Sequence, residues 1–233
     1  MAKMQAVILA AGRGVRMGDL TDEIPKPLLK ISNRPILEYT LNNLPEEISE
    51  IIFVIGYKGE MIKKYFGNEF NGKKIVYVEQ EELNGTAGAL WVAKDILRDK
   101  FLVLMADDLY HKPDLEKLLA YDLALLVKEV ANNTRFGVVA MDESGCLKEV
   151  VEYKFLKGSP AGNLVNMGAY VLNPKIFDYA PFPISAKEFG LPQTLAQMAD
   201  KHKIKVIRAN VWHPNGQEED LIKGEAVVKK HFN

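Results

Sequence analysis

LAAGRGVRMGDLTDEIPKPLL, Leu9 to Leu29, follows directly on the first apolar run of the chain, QAVIL. Three glycines, two arginines and a lysine between two prolines share these 21 positions. Glycines let backbone N–H groups come close to anionic oxygens and form a concavity for them. Arg13 and Arg16 add fork-shaped donors suited to a polyphosphate. Pro25 and Pro27 fix the backbone on either side of Lys26 and hold one ammonium group on a stiff segment. Two familiar phosphate-binding patterns fail here. No Lys-Ser/Thr pair follows Gly12 and Gly14, and Gly12, Gly14 and Gly18 read G-x-G-x-x-x-G, one position too long for a dinucleotide fingerprint.

The 233 residues, 48% of them hydrophobic, suffice for one large globular domain, expected to span 1–233. Lys and Arg number 30 against 31 Asp and Glu, so there is no bulk field to gather nucleic acid or an anionic membrane, and neither is expected as a partner. Cys146 is the single cysteine, which excludes a disulfide framework and fits a reducing compartment. MAKMQAVILAAGRG has an apolar stretch too short for a spanning helix and no signal-peptide layout, so a cytoplasmic location is expected.

Outward from the loop, strand-like runs alternate with helical segments. QAVIL (5–9), EIIFVIG (50–56), KKIVYVE (73–79) and FLVLMA (101–106) read as strands, with PILEYTLNNL, KGEMIKKYF and TAGALWVAKDIL as helices between them. That order predicts a parallel sheet covered by helices, with ligands beyond the carboxyl ends of its strands. DLALLVKEV, FGVVAMD, KEVVEYK and NLVNMGAYVL extend the sheet, and a helix near EEDLIKGEAVVKKHF closes the chain. The halves 1–120 and 121–233 are expected to serve different ligands.

The loop resembles the G-x-G-x-R…P-K-P-L-L signature of the sugar-1-phosphate nucleotidylyltransferases, and the similarity continues to the last helix. The resemblance implies a Rossmann-like three-layer α/β/α fold with a mostly parallel central sheet. It also implies an enzyme that joins a nucleoside triphosphate to a sugar 1-phosphate with release of pyrophosphate, using Mg²⁺. Leu9, Ala11, Gly12, Arg13 and Gly14 would contact the nucleotide, Arg16 would stabilise the departing β/γ-phosphates, and Lys26 would bridge the α-phosphate and the sugar phosphate. In EQEELNGTAGAL, the family position that reads the base edge is Gln80, with Gly85 and Thr86 beside it. An amide both donates and accepts, as a pyrimidine edge requires, whereas guanine's paired donors call for a carboxylate. UTP or dTTP is therefore expected over GTP, with Glu79 or Glu81 at the site if the register slips.

FLVLMADDLY runs an apolar strand into two carboxylates, hard oxygen donors of the kind Mg²⁺ takes together with phosphate and water. Asp107 aligns with the family's metal-binding aspartate. Gly137, Glu152 and Asn166 resemble sugar-binding positions. Two departures stand out. Glu152-Tyr153-Lys154 replaces the frequent E-K-P, so the sugar-phosphate lysine is missing or displaced to Lys154. WHPNG replaces W-x-D-V-G, leaving Asn215 as the second metal ligand in place of an aspartate. The four histidines show no zinc spacing, and Trp91 and Trp212 read as packing residues. No C-terminal repeat region is expected, and a homo-oligomer is left open. The competing expectations are a mannose-1-phosphate guanylyltransferase and a catalytically weak nucleotide-sugar-binding regulator.

Overall fold

The computed structural model describes residues 3–152 and 162–232, Glu152 by its backbone alone; Lys154 lies outside the described residues. A ten-stranded mixed sheet forms the centre. In chain order its strands are β1 (Met4–Ala10), β2 (Ile48–Ile55), β3 (Glu69–Phe70), β4 (Lys73–Glu79), β5 (Phe101–Met105), β6 (Ala124–Glu129), β7 (Gly137–Met141), β8 (Leu147–Glu152), β9 (Leu164–Leu172) and β10 (Lys205–Arg208). β1 lies between β2 and β5, parallel to both, and β4 continues in parallel beyond β2. β9 runs antiparallel to β5 and to β6, and β10 pairs in parallel with β6. Only β3, β8 and β9 run against the rest, so the sheet is mostly parallel.

β1 shows why these segments become central strands. Alternate side chains point to opposite faces of a strand, and here both faces are apolar. Ala6, Ile8 and Ala10 join one core with Phe53, Leu102 and Leu104. Val7, Leu9 and Ala11 join a second core with Ile52, Val54 and Val103. Helices Ile36–Asn42 and Gly59–Phe66 close the first core through Leu37, Leu41, Ile62 and Phe66. Helices Gly85–Trp91 and Leu191–Ala199 close the second through Ala87, Leu90, Leu191, Leu195 and Met198. Buried on both faces, the strands read as continuous apolar runs, and the architecture is the three-layer α/β/α one expected.

The boundaries differ in places. The helix expected over 86–97 ends at Trp91, and a separate turn covers Lys94–Ile96. Helices Lys112–Leu119 and Leu191–Ala199 and strand β10 were not anticipated. Both helices start with proline in the first turn, where its missing N–H costs nothing. Each turns a sparse apolar stripe inward, Leu115, Leu118 and Leu119 in one and Leu191, Leu195 and Met198 in the other.

One irregularity shapes the sheet near the carboxyl ends of its parallel strands. The register of β9 on β6 shifts between Asn166 and Tyr170. Along its other edge β9 changes partner at the same place, pairing Ala169 with Leu104 of β5 and Val165 with Val138 of β7. A wedge therefore opens between the end of β5 and the start of β7. Gly168 sits in it at φ 71°, and a Cβ there would collide with Met105 Cγ. Gly168→Ala should cost about 1–3 kcal/mol of stability through backbone strain and overpacking. Chemical denaturation should show the Gly168→Ala/Met105→Ala pair costing less than the sum of its single variants, because the second change removes the atom struck by the first.

Candidate active site

The parallel strands end on one side of the sheet, and their hydrogen bonding carries on into the loops. Ala106 N–H donates to Leu9 O (3.2 Å), Tyr57 N–H to Ala11 O (3.0 Å) and Gln80 N–H to Ile55 O (2.8 Å). A cavity of about 370 Å³ lies above these ends. Leu9, Ala11, Gly12, Arg13, Gly14, Gln80, Gly85 and Thr86 all line it, together with Lys26 and Asp107.

The proline-bracketed lysine is built in from several directions. Pro25 is extended at φ −65°, and Lys26 opens a short turn to Leu28. Gly14, at φ 70°, folds over the lysine stem: a Cβ there would lie 3.0 Å from Lys26 Cβ and 3.3 Å from Thr21 Cγ2. Thr21 Oγ1 donates to Gly18 O (3.1 Å), and Tyr57 Oη donates to Thr21 O (2.9 Å). Lys26 ends 6% exposed, its Nζ donating to the Asp107 carboxylate. The two arginines separate. Arg13 lines this cavity, 3.7 Å from Asp22 and over the Tyr57 ring at 5.5 Å. Arg16 is exposed and lines a neighbouring cavity instead.

Gln80 is 4% exposed, and its Nε2 donates to Asn84 Oδ1 (2.9 Å) and Gly85 O (3.3 Å). The donor half of the amide is thus occupied from within, which leaves Oε1 as its acceptor. Gly85 has φ 93°, and a Cβ there would strike the Phe189 carbonyl oxygen. Phe189 N–H donates to Asn84 O (2.8 Å), and Leu191 N–H to Thr86 Oγ1 (3.0 Å). Gly85 and Thr86 therefore also dock a segment from the second half of the chain.

The second cavity, about 440 Å³, occupies the wedge. Gly137 and Asn166 line it, and Lys26, Thr86, Met105 and Asp107 line both cavities. Asn166 Nδ2 donates to Tyr170 Oη (2.7 Å), and its Oδ1 accepts from Gly168 N–H (3.3 Å). The backbone of Glu152 pairs with Gly137 in the β7–β8 ladder. Asp108 ties the floor to the C-terminal region, accepting from Trp212 Nε1 (3.0 Å) and Asn215 N–H (3.3 Å). Burial, reinforced by the Asp107 charge, pushes the Asp108 carboxyl up to about 7 against the pull of Lys26 and these two donors. Asn215 is fully buried; its Nδ2 donates to Asp107 O (3.0 Å), and its Oδ1 has no hydrogen-bond partner among the described residues. No cluster of three or more His, Cys, Asp or Glu side chains could hold a metal among the described residues. Asp107, Asp108 and Asn215 are joined by hydrogen bonds here, Asn215 through its Nδ2 to the Asp107 carbonyl and its N–H to the Asp108 carboxylate.

Sequence reasoning missed Arg135, which lines the second cavity and pairs with Asp220, 85 positions away. Trp212, expected only to pack, also lines this cavity. No local pattern marks Arg135 except its place two residues before Gly137.

Known proteins similar to this chain are numerous. The Nucleotidyl transferase family model matches residues 5–231. The Bifunctional protein GlmU of Methanocaldococcus jannaschii is 34% identical over 99% of this chain, which spans only 55% of that relative, about half its length. The UTP–glucose-1-phosphate uridylyltransferase AglF of Haloferax volcanii is 30% identical over 93% of this chain and 94% of its own. The D-glycero-alpha-D-manno-heptose 1-phosphate guanylyltransferase of Campylobacter jejuni is 35% identical over 75% of this chain and 78% of its own. A UDP-glucose pyrophosphorylase solved with UDP-glucose has the same fold, with a TM-score of 0.83 at 23% identity over 99% of both chains. Among the described residues no helix is long and apolar enough to cross a membrane. With the family match running from the first strand to the last helix, the chain belongs to the Nucleotidyl transferase family.

Proposed function

We propose that this chain transfers a nucleotidyl group from UTP or dTTP to a hexose 1-phosphate, releasing pyrophosphate. The observation that carries the reading is the wall shared by the two cavities, where Lys26 meets Asp107. One ligand on each side of that wall brings two phosphates together. The first cavity takes the triphosphate and the second the sugar 1-phosphate, in keeping with the halves 1–120 and 121–233.

The reacting groups are both anions, and an unscreened pair at about 4 Å costs roughly 4 kcal/mol at an effective dielectric of 20. Charge neutralisation and in-line positioning are then the main catalytic tasks, as in phosphoryl transfer generally. The sugar phosphate oxygen attacks the α-phosphorus without a general base, since it is already charged. Lys26 spans the α-phosphate and the incoming phosphate. Backbone N–H groups of Gly12 to Gly14 cradle the leaving pyrophosphate beside Arg13; Arg16 turns in from the second cavity to join them. Gln80 Oε1 accepts the pyrimidine N3–H, while Gly137, Asn166 and Glu152 take the sugar. The Asp107 carboxylate and Asn215 Oδ1 would hold Mg²⁺, which supplies Lewis-acid neutralisation of phosphate when bound. The unpartnered Asn215 Oδ1 supports that fit.

A guanine nucleotide is the second reading of the base. With Nε2 held by Asn84 and Gly85, the Gln80 acceptor alone does not tell a pyrimidine N3–H from a guanine N1–H. A guanylyltransferase among the relatives points the same way. Pyrophosphate release should be measured over UTP, dTTP, GTP, ATP and CTP against several hexose 1-phosphates. UTP or dTTP should give the highest kcat/KM; a preference for GTP would overturn the base assignment, and no release with any pair would overturn the reaction. Lys26→Ala should lower kcat by at least about 100-fold, the scale of losing one transition-state stabiliser, with an unchanged circular dichroism spectrum. Asp107→Asn should abolish the dependence of rate on Mg²⁺ concentration; an unaltered titration moves the metal elsewhere.

A further inference from the structure

We propose that Arg135 binds the phosphate of the sugar 1-phosphate in the second cavity, which rests on the reading of that cavity as the sugar-phosphate site. Arg135 Nη2 pairs with Asp220 Oδ2 at 2.6 Å, and Nη1 approaches Oδ1 at 3.4 Å. The same Asp220 Oδ2 accepts from Gln217 N–H (2.9 Å) at the start of helix Glu218–His231, so the carboxylate cannot swing away without uncapping that helix. The guanidinium lies 5.7 Å from the Phe136 ring centroid, and Phe136 packs edge-on against Trp212 at 5.1 Å. Gly216 leaves the remaining space: a Cβ there would collide with Arg135 Nη2. The head group is therefore fixed on several sides before any ligand arrives.

The pair is also lopsided. The Asp220 side chain is 8% exposed and that of Arg135 31%. A guanidinium has five N–H donors and no acceptor, and two are spent on Asp220. The outer donors, on a cavity wall, form the kind of fork that matches two oxygens of a phosphate. The cavity needs such a cation. Asp107 and Asp108 both line it, Lys26 is shared with the first cavity and paired with Asp107, and Arg16 is exposed without a comparable clamp. Beside Lys26, Arg135 gives a phosphate monoester entering next to these residues a second cationic contact, and a pre-fixed group loses little freedom in making it.

The test uses glucose 1-phosphate and inorganic phosphate as probes. Losing hydrogen bonds to a charged group predicts that Arg135→Met raises KM for the sugar phosphate by about 10-fold or more, while KM for the nucleotide stays within about 2-fold on the same scale. Arg135→Lys should recover part of the loss, and calorimetry should show phosphate binding weakened in Arg135→Met. Asp220→Asn breaks the ion pair but keeps the guanidinium, so it should lower Tm with a smaller rise in KM. If Arg135 only ties its loop to the last helix, the Met and Asn variants will match in Tm and in KM, and the proposal falls. Unchanged KM and phosphate affinity in Arg135→Met also overturn it. If wild type releases no pyrophosphate from any substrate pair, the reading of the reaction fails, and the phosphate titration alone then judges Arg135.

Discussion

A lysine taken almost wholly out of water needs a fixed anion, because an uncompensated buried charge is strongly destabilising. Lys26 finds its anion in Asp107, at the end of β5, and this contact joins the proline-held loop after β1 to the neighbouring strand. Much of the ligand face is arranged around it. Gly14 is glycine because the loop must lie against the lysine stem, and Thr21 and Tyr57 hold that loop in place. Asn215 reaches the Asp107 carbonyl from the C-terminal region, and Asp108 beside it accepts from Trp212. Segments far apart in sequence thus converge on one ion pair, and on the proposed reading that pair is where two phosphates meet.

The second determinant is the wedge at Gly168. A regular β9 would pair continuously with one neighbour and leave no room between β5 and β7. The change of partner along its edge separates them and makes a second cavity against the wall of the first. Thr86 adds a direct link, lining both cavities and accepting the N–H of Leu191.

The parts of this account that were legible in the sequence are those encoded locally. β4 was expected over 73–79 and is found over Lys73–Glu79, because the β-branched and aromatic residues Ile75 to Val78 mark a strand even where only Lys73 and Ile75 are buried. The glycine and proline punctuation marked the Leu9–Leu29 loop, and Asp107 was visible as a carboxylate at a strand end. Gln80 was picked out, but not the loss of its donor half to Asn84, since that bond depends on how the chain turns into helix Gly85–Trp91. The wedge was invisible for a similar reason: Gly168 looks like any glycine in a strand until the register on both edges is known. Arg135 and Asp220 are each unremarkable in sequence, and only folding brings them to 2.6 Å. Gly85 carried a second meaning as well, since its missing Cβ makes room for Phe189.

On the proposed reading, two ligands sit together across the Lys26–Asp107 wall and react directly, with no enzyme side chain taking up the nucleotidyl group. Isotope exchange between labelled pyrophosphate and the preferred nucleoside triphosphate tests this most directly. No exchange is expected until a sugar 1-phosphate is present. Exchange at a comparable rate in its absence would mean that a nucleotidylated enzyme forms first, and would contradict the shared-wall arrangement as the place of reaction.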